Sequence, residues 1–386
     1  MEFQNRQAQV VGYGRAATFA RPELAGTCVR FQRRLPLIAV AVLALLLAVG
    51  ASLTYAADPA DSKPLQIYFV DVEGGQSTLF VTPDGHSLLI DAGWPGNDFR
   101  DADRIAAAAH DAGIQKIDYV IITHYHDDHV GGVPQLVQRI PVGTFIDHGA
   151  NSEPEGNFSK NVYGAYQQVL ATGKYQRITP KPGDKLPIPG LNVLVISADG
   201  AVLQAPLPGA GQPNPYCAST PVPPADKTEN PRSLGTLITF GQTRILDLGD
   251  LTAEKERDLM CPNNRLGKID IFIASHHGTE SSDSAVLVHA ISPRVAIVDN
   301  GAKKGGSPSV LDTIKSSPGL AGMWQLHYSD ESGDSHNAPA QYIANPKGTE
   351  TGAYLKLTVK PDRSFTVYNS RTKESKELAV ATPSRE

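Results

Sequence analysis

The apolar run at residues 117–123 stops at His124-Tyr125-His126-Asp127-Asp128-His129-Val130-Gly131-Gly132, and that junction constrains the fold more than any other stretch. A run with this β-branched and aromatic content reads as a buried strand, so the polar cluster lies on the loop where the strand ends. The chain has only eleven histidines in 386 residues, and three of them fall within six positions here. Neutral imidazoles and carboxylates are the donors that Zn²⁺ and similar ions favour. In an extended segment alternate side chains project to one side, which lets His124 and His126 grip one ion. Asp128 and His129 follow after the chain has turned, and they can face a second ion at the spacing used in two-metal hydrolases. Gly131 and Gly132 then relieve the crowding and open a helix over residues 133–140.

Around this loop the pattern alternates strands and helices. Residues 65–70, 77–81 and 87–90 read as a meander, with Pro83-Asp84-Gly85 as a turn, and residues 100–112 as an alanine-rich helix. Further strands are expected at 143–147, 191–196, 233–240, 243–248, 269–274, 294–299, 323–329, 353–359 and 364–368, with helices at 161–172 and 310–316. Residues 201–231 hold eight prolines and little periodicity, which marks an insertion near the pocket mouth rather than a linker. His148, at the end of a strand that returns to the same edge, reads either as a pocket residue or supplementary ligand, or as a surface histidine. Lys303 and Lys304 read either as phosphate contacts or as a solvated pair.

His124-x-His126-x-Asp128-His129 resembles the signature of the metallo-β-lactamase superfamily, and other segments extend the likeness from about Leu65 to Ser317. The nearest subgroup is the metallo-β-lactamase-like domain of bacterial competence DNA-uptake proteins. Asp71-Val72-Glu73-Gly74-Gly75-Gln76 is similar to that subgroup's opening turn. Leu88-Leu89-Ile90-Asp91-Ala92-Gly93, Ile245-Leu246-Asp247-Leu248-Gly249-Asp250 and Ser275-His276-His277-Gly278-Thr279 resemble later motifs in order. The resemblance implies an α/β fold, the αββα four-layer sandwich, with two mixed sheets face to face and the ligand loops at one edge. It gives Asp250 the bridge between two ions and gives Asp91 support of the metal loop from behind, with Asp71 grouped among the supporting or substrate residues. It also puts a ligand at His276-His277. Adjacent side chains diverge, so one binds metal and the other faces substrate as a donor or acid; the order stays open, and we give the ion to His276 and the catalytic role to His277 beside Asp128. The first ion then has His124 and His126, the second Asp128, His129 and His276. Two departures stand out: Ser197-Ala198-Asp199-Gly200 offers only Asp199 where the superfamily often has another histidine, and Ser307 stands where the subgroup has histidine.

The N-terminus is set apart. Residues 35–57 carry no charge and follow Arg30, Arg33 and Arg34. The basic flank, the apolar run and the small residues Thr54, Ala56 and Ala57 read as a secretory signal cleaved near Ala56 or Ala57. The alternative is an uncleaved membrane anchor, because the stretch is close to the roughly 20 residues that span a bilayer. Both readings divide the chain into a leader, 1–57, and a hydrolase domain, 58–386, that is periplasmic, secreted or anchored outside the cytoplasm. Six arginines and two glutamates leave with the leader, so the net charge of −5 becomes −9 for the remainder. That balance excludes a general electrostatic attraction to nucleic acid. Cys217 and Cys261 remain, either as a disulfide or as two thiols.

The expected chemistry is hydrolysis assisted by two divalent ions, Zn²⁺ for so nitrogen-rich a donor set or else Mn²⁺. By resemblance the substrate is a phosphodiester or nucleic-acid-like molecule. The alternative is a lactone, β-lactam or other ester or amide, and a third reading is a binding module without chemistry. No protein partner is indicated.

Overall fold

The computed structural model describes residues 63–153, 160–348 and 351–378; the leader lies outside them. Among the described residues no helix is long and apolar enough to cross a membrane. In chain order the strands are β1 (Leu65–Phe69), β2 (Thr78–Val81), β3 (Ser87–Ile90), β4 (Ile117–Ile121), β5 (Val142–Ile146) and β6 (Gln176–Ile178). There follow β7 (Lys185–Leu186), β8 (Asn192–Ala198), β9 (Ala201–Val202), β10 (Gly235–Phe240), β11 (Thr243–Asp247) and β12 (Ile271–Ile273). The last are β13 (Val295–Val298), β14 (Gly322–His327), β15 (Ile343–Asn345), β16 (Leu355–Val359), β17 (Phe365–Asn369) and β18 (Glu374–Leu378). One sheet has the order β18-β17-β16-β1-β2-β3-β4-β5-β6, the other β15-β14-β13-β12-β11-β10-β8-β7, with β9 paired to β8.

Strand alternation explains the layers. Successive side chains point to opposite faces, so Ile271 and Ile273 of β12 and Val295 and Ile297 of β13 face the core between the sheets. Phe272, Ala296 and Val298 face outward, against helices α3 (Ala253–Met260), α4 (Ala285–Ile291) and α5 (Pro308–Lys315). On the first sheet, Ala102, Ile105 and Ala109 of the helix Arg100–Asp111 (α1) cover Leu89 and Val120 in the same way, as does Tyr166 of Lys160–Ala171 (α2). The result is the expected αββα sandwich. Strands β3 to β6 are parallel, as are β11 to β15. Their carboxyl ends are where open α/β sheets gather functional loops.

Three expectations change. The helix at 133–140 is a single helical turn, Val133–Leu136, followed by turns. Helices α3 and α4 lie where no element was expected. The proline-rich insertion does not hang over a pocket mouth along its length: the Asn214 amide donates to the carbonyls of Met260 and Val286, and Cys217 is disulfide-bonded to Cys261, so much of it lies on α3 and α4. Its end differs, because Glu229 reaches His148 at the ligand loops.

Glu256 on α3 is buried and accepts hydrogen bonds from the Asp283 and Ser284 N–H groups and the Ser284 hydroxyl. Burial, against those bonds, pushes its carboxyl from 4.5 to about 7. Between these values the folded chain keeps a proton that the unfolded chain has lost, so stability falls as pH rises through this window, by up to about 3 kcal/mol. Denaturant midpoints measured from pH 4.5 to 7 for the natural chain and Glu256→Gln should show this slope and its flattening; parallel curves would refute it.

Candidate metal centre

The carboxyl end of β4 delivers the histidine loop, and the fold holds it from behind. Asp91 follows β3 with φ +60° and accepts hydrogen bonds from the Thr123 N–H (2.8 Å) and hydroxyl (2.6 Å), with His129 Nδ1 at 2.7 Å. His126 precedes a helical turn, Asp127–Val130, whose tight return brings Asp128 and His129 inward. Gly132 is dictated by a close approach: a Cβ there would lie 2.0 Å from the Ala92 carbonyl oxygen.

The second sheet supplies the facing groups. After β11, Gly249 has φ +56°, and a Cβ on it would come within 2.7 Å of Thr123, so only glycine lets Asp250 enter the site. After β12, both His276 (φ +51°) and His277 (φ +56°) are left-handed. Such conformations cost non-glycine residues about 1–3 kcal/mol each and cluster at functional sites.

Asp250 faces both ways. Its Oδ1 lies 3.2 Å from His129 Nε2 and 3.6 Å from His277 Nε2. Its Oδ2 lies 3.7 Å from His124 Nε2 and 3.4 Å from His276 Nε2. Asp128 Oδ2 is 3.2 Å from His129 Nε2 and 3.0 Å from His277 Nε2. Two donors each bound to one tetrahedral ion stand about 3.4 Å apart, so these spacings fit ligand sets. The sets are Asp128, His129, His277 and Asp250, and His124, His126 and Asp250. His124 Nε2 and Asp250 Oδ1 are buried without a hydrogen-bond partner, a state native proteins avoid unless something else satisfies the atom.

Charge readies the carboxylates and His124, whereas at His129 and His277 the surrounding carboxylates overcome burial and hold the imidazoles above the usual histidine range, so an ion must displace a proton from each. Burial, the largest single effect, would raise the Asp128 and Asp250 carboxyls, but His129 together with Lys304 and His277 at Asp128, and with His276, His277 and His124 at Asp250, holds both well below the usual range. Burial, with His129 adding to it, holds His124 well below the usual histidine range, which keeps it neutral. Ionised carboxylates and a neutral imidazole are the forms a divalent ion requires.

The structure also reassigns residues. His277, not His276, joins Asp128 and His129; its ring is buried, with Nδ1 3.7 Å from Asp299. His276 keeps a partly exposed side chain, its Nδ1 2.7 Å from the Ser281 hydroxyl, and takes the outward position expected of its neighbour. His148 is not a surface residue: it is buried, outside both ligand sets, with Nε2 2.9 Å from Glu229. Asp199 pairs with Arg232 away from the ligand sets. Asp71 belongs to a buried knot, paired with Arg104 and His327 and bonded by Asn345, that ties the end of β1 to β14 and β15. Lys303 is exposed, whereas Lys304 pairs with Asp128 and sits 4.8 Å from the Trp94 ring centroid. Sequence reasoning missed Trp94, Glu153, which lies 3.2 Å from His126, and Asp299. Asp299 was detectable, since like Asp91 it ends an apolar strand; Glu153 sits in a loop without periodicity.

The fold and its ligand loops define an αββα sandwich with a candidate dinuclear metal centre at the carboxyl ends of its strands. Residues 71–217 match the Metallo-beta-lactamase superfamily. The chain is 24% identical over 243 residues to Recombination protein 2 of Haemophilus influenzae, covering 62% of this chain and 25% of that protein. It is 27% identical over 192 residues to ComE operon protein 3 of Bacillus subtilis, covering 49% and 20%. Against a hydroxyacylglutathione hydrolase of Stenotrophomonas maltophilia it is 38% identical over 105 residues, covering 27% and 37%. The chain thus spans well under half the length of each of these relatives.

Proposed function

We propose that this chain is an exported hydrolase of small or single-stranded phosphodiesters that works with two divalent ions, Zn²⁺ or Mn²⁺. The observation that carries the reading is the pair of ligand sets sharing Asp250, buried except for the half-buried His126. Asp128, His129 and His277 would hold one ion, His124 and His126 the other. Bound there, such ions supply an acidified water and a Lewis acid for charge developing on the electrophile. The chain's own groups do the rest. Asp91 fixes the orientation of His129 through Nδ1, which leaves Nε2 free for the site. His276 presents a ring at the open side that can carry a proton to or from the reacting group. Lys304 Nζ, beside Asp128 and Trp94, supplies the cation an anionic substrate would meet.

Likeness to Recombination protein 2 supports a nucleic-acid-like substrate, and the −9 charge of residues 58–386 favours a short strand over long duplex. The disulfide supports export, because such bonds persist in oxidising compartments. The second reading, ester hydrolysis, draws on the likeness to a hydroxyacylglutathione hydrolase across the metal loop.

A panel of phosphodiesters, lactones, β-lactams and thioesters, assayed with Zn²⁺ and with Mn²⁺, separates these readings. Phosphodiesters should be turned over at least about tenfold faster by kcat/KM, and Lys303→Ala with Lys304→Ala should lower that value about tenfold and flatten its dependence on salt. Efficient ester opening with phosphodiesters untouched would move the assignment to the second reading. No turnover by the metal-loaded chain would make it a binding module.

A further inference from the structure

The two ligand sets are unequal. Asp128, His129, His277 and one oxygen of Asp250 make four donors, whereas His124, His126 and the other oxygen make three. Structural and catalytic sites for Zn²⁺ usually draw three or four protein ligands, and a second ion set beside a first needs enough charge to offset the repulsion. Asp199 cannot supply it, being more than half exposed and paired with Arg232.

Glu153 stands beside one ligand of this set, His126, and outside the three donors that lie within 4.8 Å of one another. Its Oε2 is 3.2 Å from His126 Nε2, the same spacing as the donor pairs within the other set. His124 engages the Thr123 hydroxyl through Nδ1 at 3.1 Å, so its Nε2 is the donor left for the site. The loop that presents Glu153 is clasped on several sides. Ser152 donates its N–H and hydroxyl to Glu229, whose other oxygen takes His148 Nε2. The Gly149 carbonyl accepts from the Tyr125 hydroxyl (2.7 Å) and from Arg177 (2.8 Å), and the Glu153 N–H donates to Asn151 (2.9 Å). Ligands held by such supporting contacts are the ones that bind metals at a defined point.

We propose that Glu153 is a further protein ligand of the ion held by His124, His126 and Asp250. This rests on the two-ion reading above. The competing donor is His276, whose Nε2 lies 3.4 Å from the same Asp250 oxygen.

The test uses the full chain, stripped with a chelator, then titrated with Zn²⁺ alone and separately with Co²⁺ followed by visible absorption. The natural chain should take up close to two Zn²⁺. Glu153→Ala and Glu153→Gln should retain one, or hold the second at least about 100-fold more weakly, while circular dichroism is unchanged. Glu153→His should recover two with altered Co²⁺ bands, a rescue that a role confined to orienting His126 would not give. If Glu153→Ala does not fold, the near-isosteric Glu153→Gln carries the same comparison. Two Zn²⁺ at natural affinity and an unchanged Co²⁺ spectrum in both variants would overturn the proposal, and loss of one ion in His276→Ala would then give the position to His276. Failure of the natural chain to bind two ions would instead overturn the two-ion reading itself.

Discussion

Asp250→Ala is expected to lower kcat/KM by at least about 10⁴-fold and to reduce bound Zn²⁺ from close to two per chain to one or fewer, with circular dichroism unchanged. Among the described residues Asp250 alone belongs to both ligand sets: one oxygen is turned to His129 and His277, the other to His124 and His276. The substitution also removes one of the three carboxylates around His129, so a titration of the variant should find that imidazole easier to deprotonate, since Asp250, Asp128 and Asp91 together outweigh the effect of burial and hold it well above the usual range. Metal content and rate have to be measured on the same preparation. Activity that survives in a metal-free variant would remove the basis for assisted hydrolysis, and a variant that keeps both ions would remove Asp250 from its bridging position.

Reduction of the Cys217–Cys261 bond should produce the largest change in stability. The cysteines are 44 residues apart in sequence, and in the chain-entropy account closing a loop of that length stabilises the fold by about 4 kcal/mol. For a domain of this size the expected fall in Tm is about 6 °C. Cys217→Ser with Cys261→Ser should match the natural chain treated with reductant, and reductant should do nothing further to the double variant. The loss should leave the metal centre in place, because the bond fastens the insertion to the end of α3, on the outer layer of the second sheet. A Tm indifferent to reductant would show that packing of Asn214 and its neighbours holds the insertion unaided.

Much of this architecture is written in local chemistry. The buried strands announce themselves because Ile, Val, Leu and Phe alternate or run without interruption where two layers cover a sheet, and α1 because alanine dominates it. The strand-end position of His124 to His129, and of Asp250, follows from where those runs stop. Helices α3 and α4 were not legible. Ala253–Met260 is mostly charged, and Ala285–Ile291 is rich in β-branched residues, so their state is decided by burial of Leu259, Met260, Leu287 and Ile291 against Phe272 and the outer face of the second sheet. The same holds for the short edge strands β6, β7 and β15, which are made by pairing rather than by propensity. Within the site, residue type and spacing by themselves named the donors but not their directions. Two adjacent histidines diverge in any backbone, and only the left-handed turn after β12, locked by the Gly249 carbonyl accepting the His276 N–H, sends His277 inward and His276 outward. Lys304, Trp94 and Glu153 come from loops separated in sequence and carry no periodic signal. Their meeting at Asp128 and His126 is a property of the folded chain alone, because only packing of the two sheets brings the carboxyl ends of their strands to one edge.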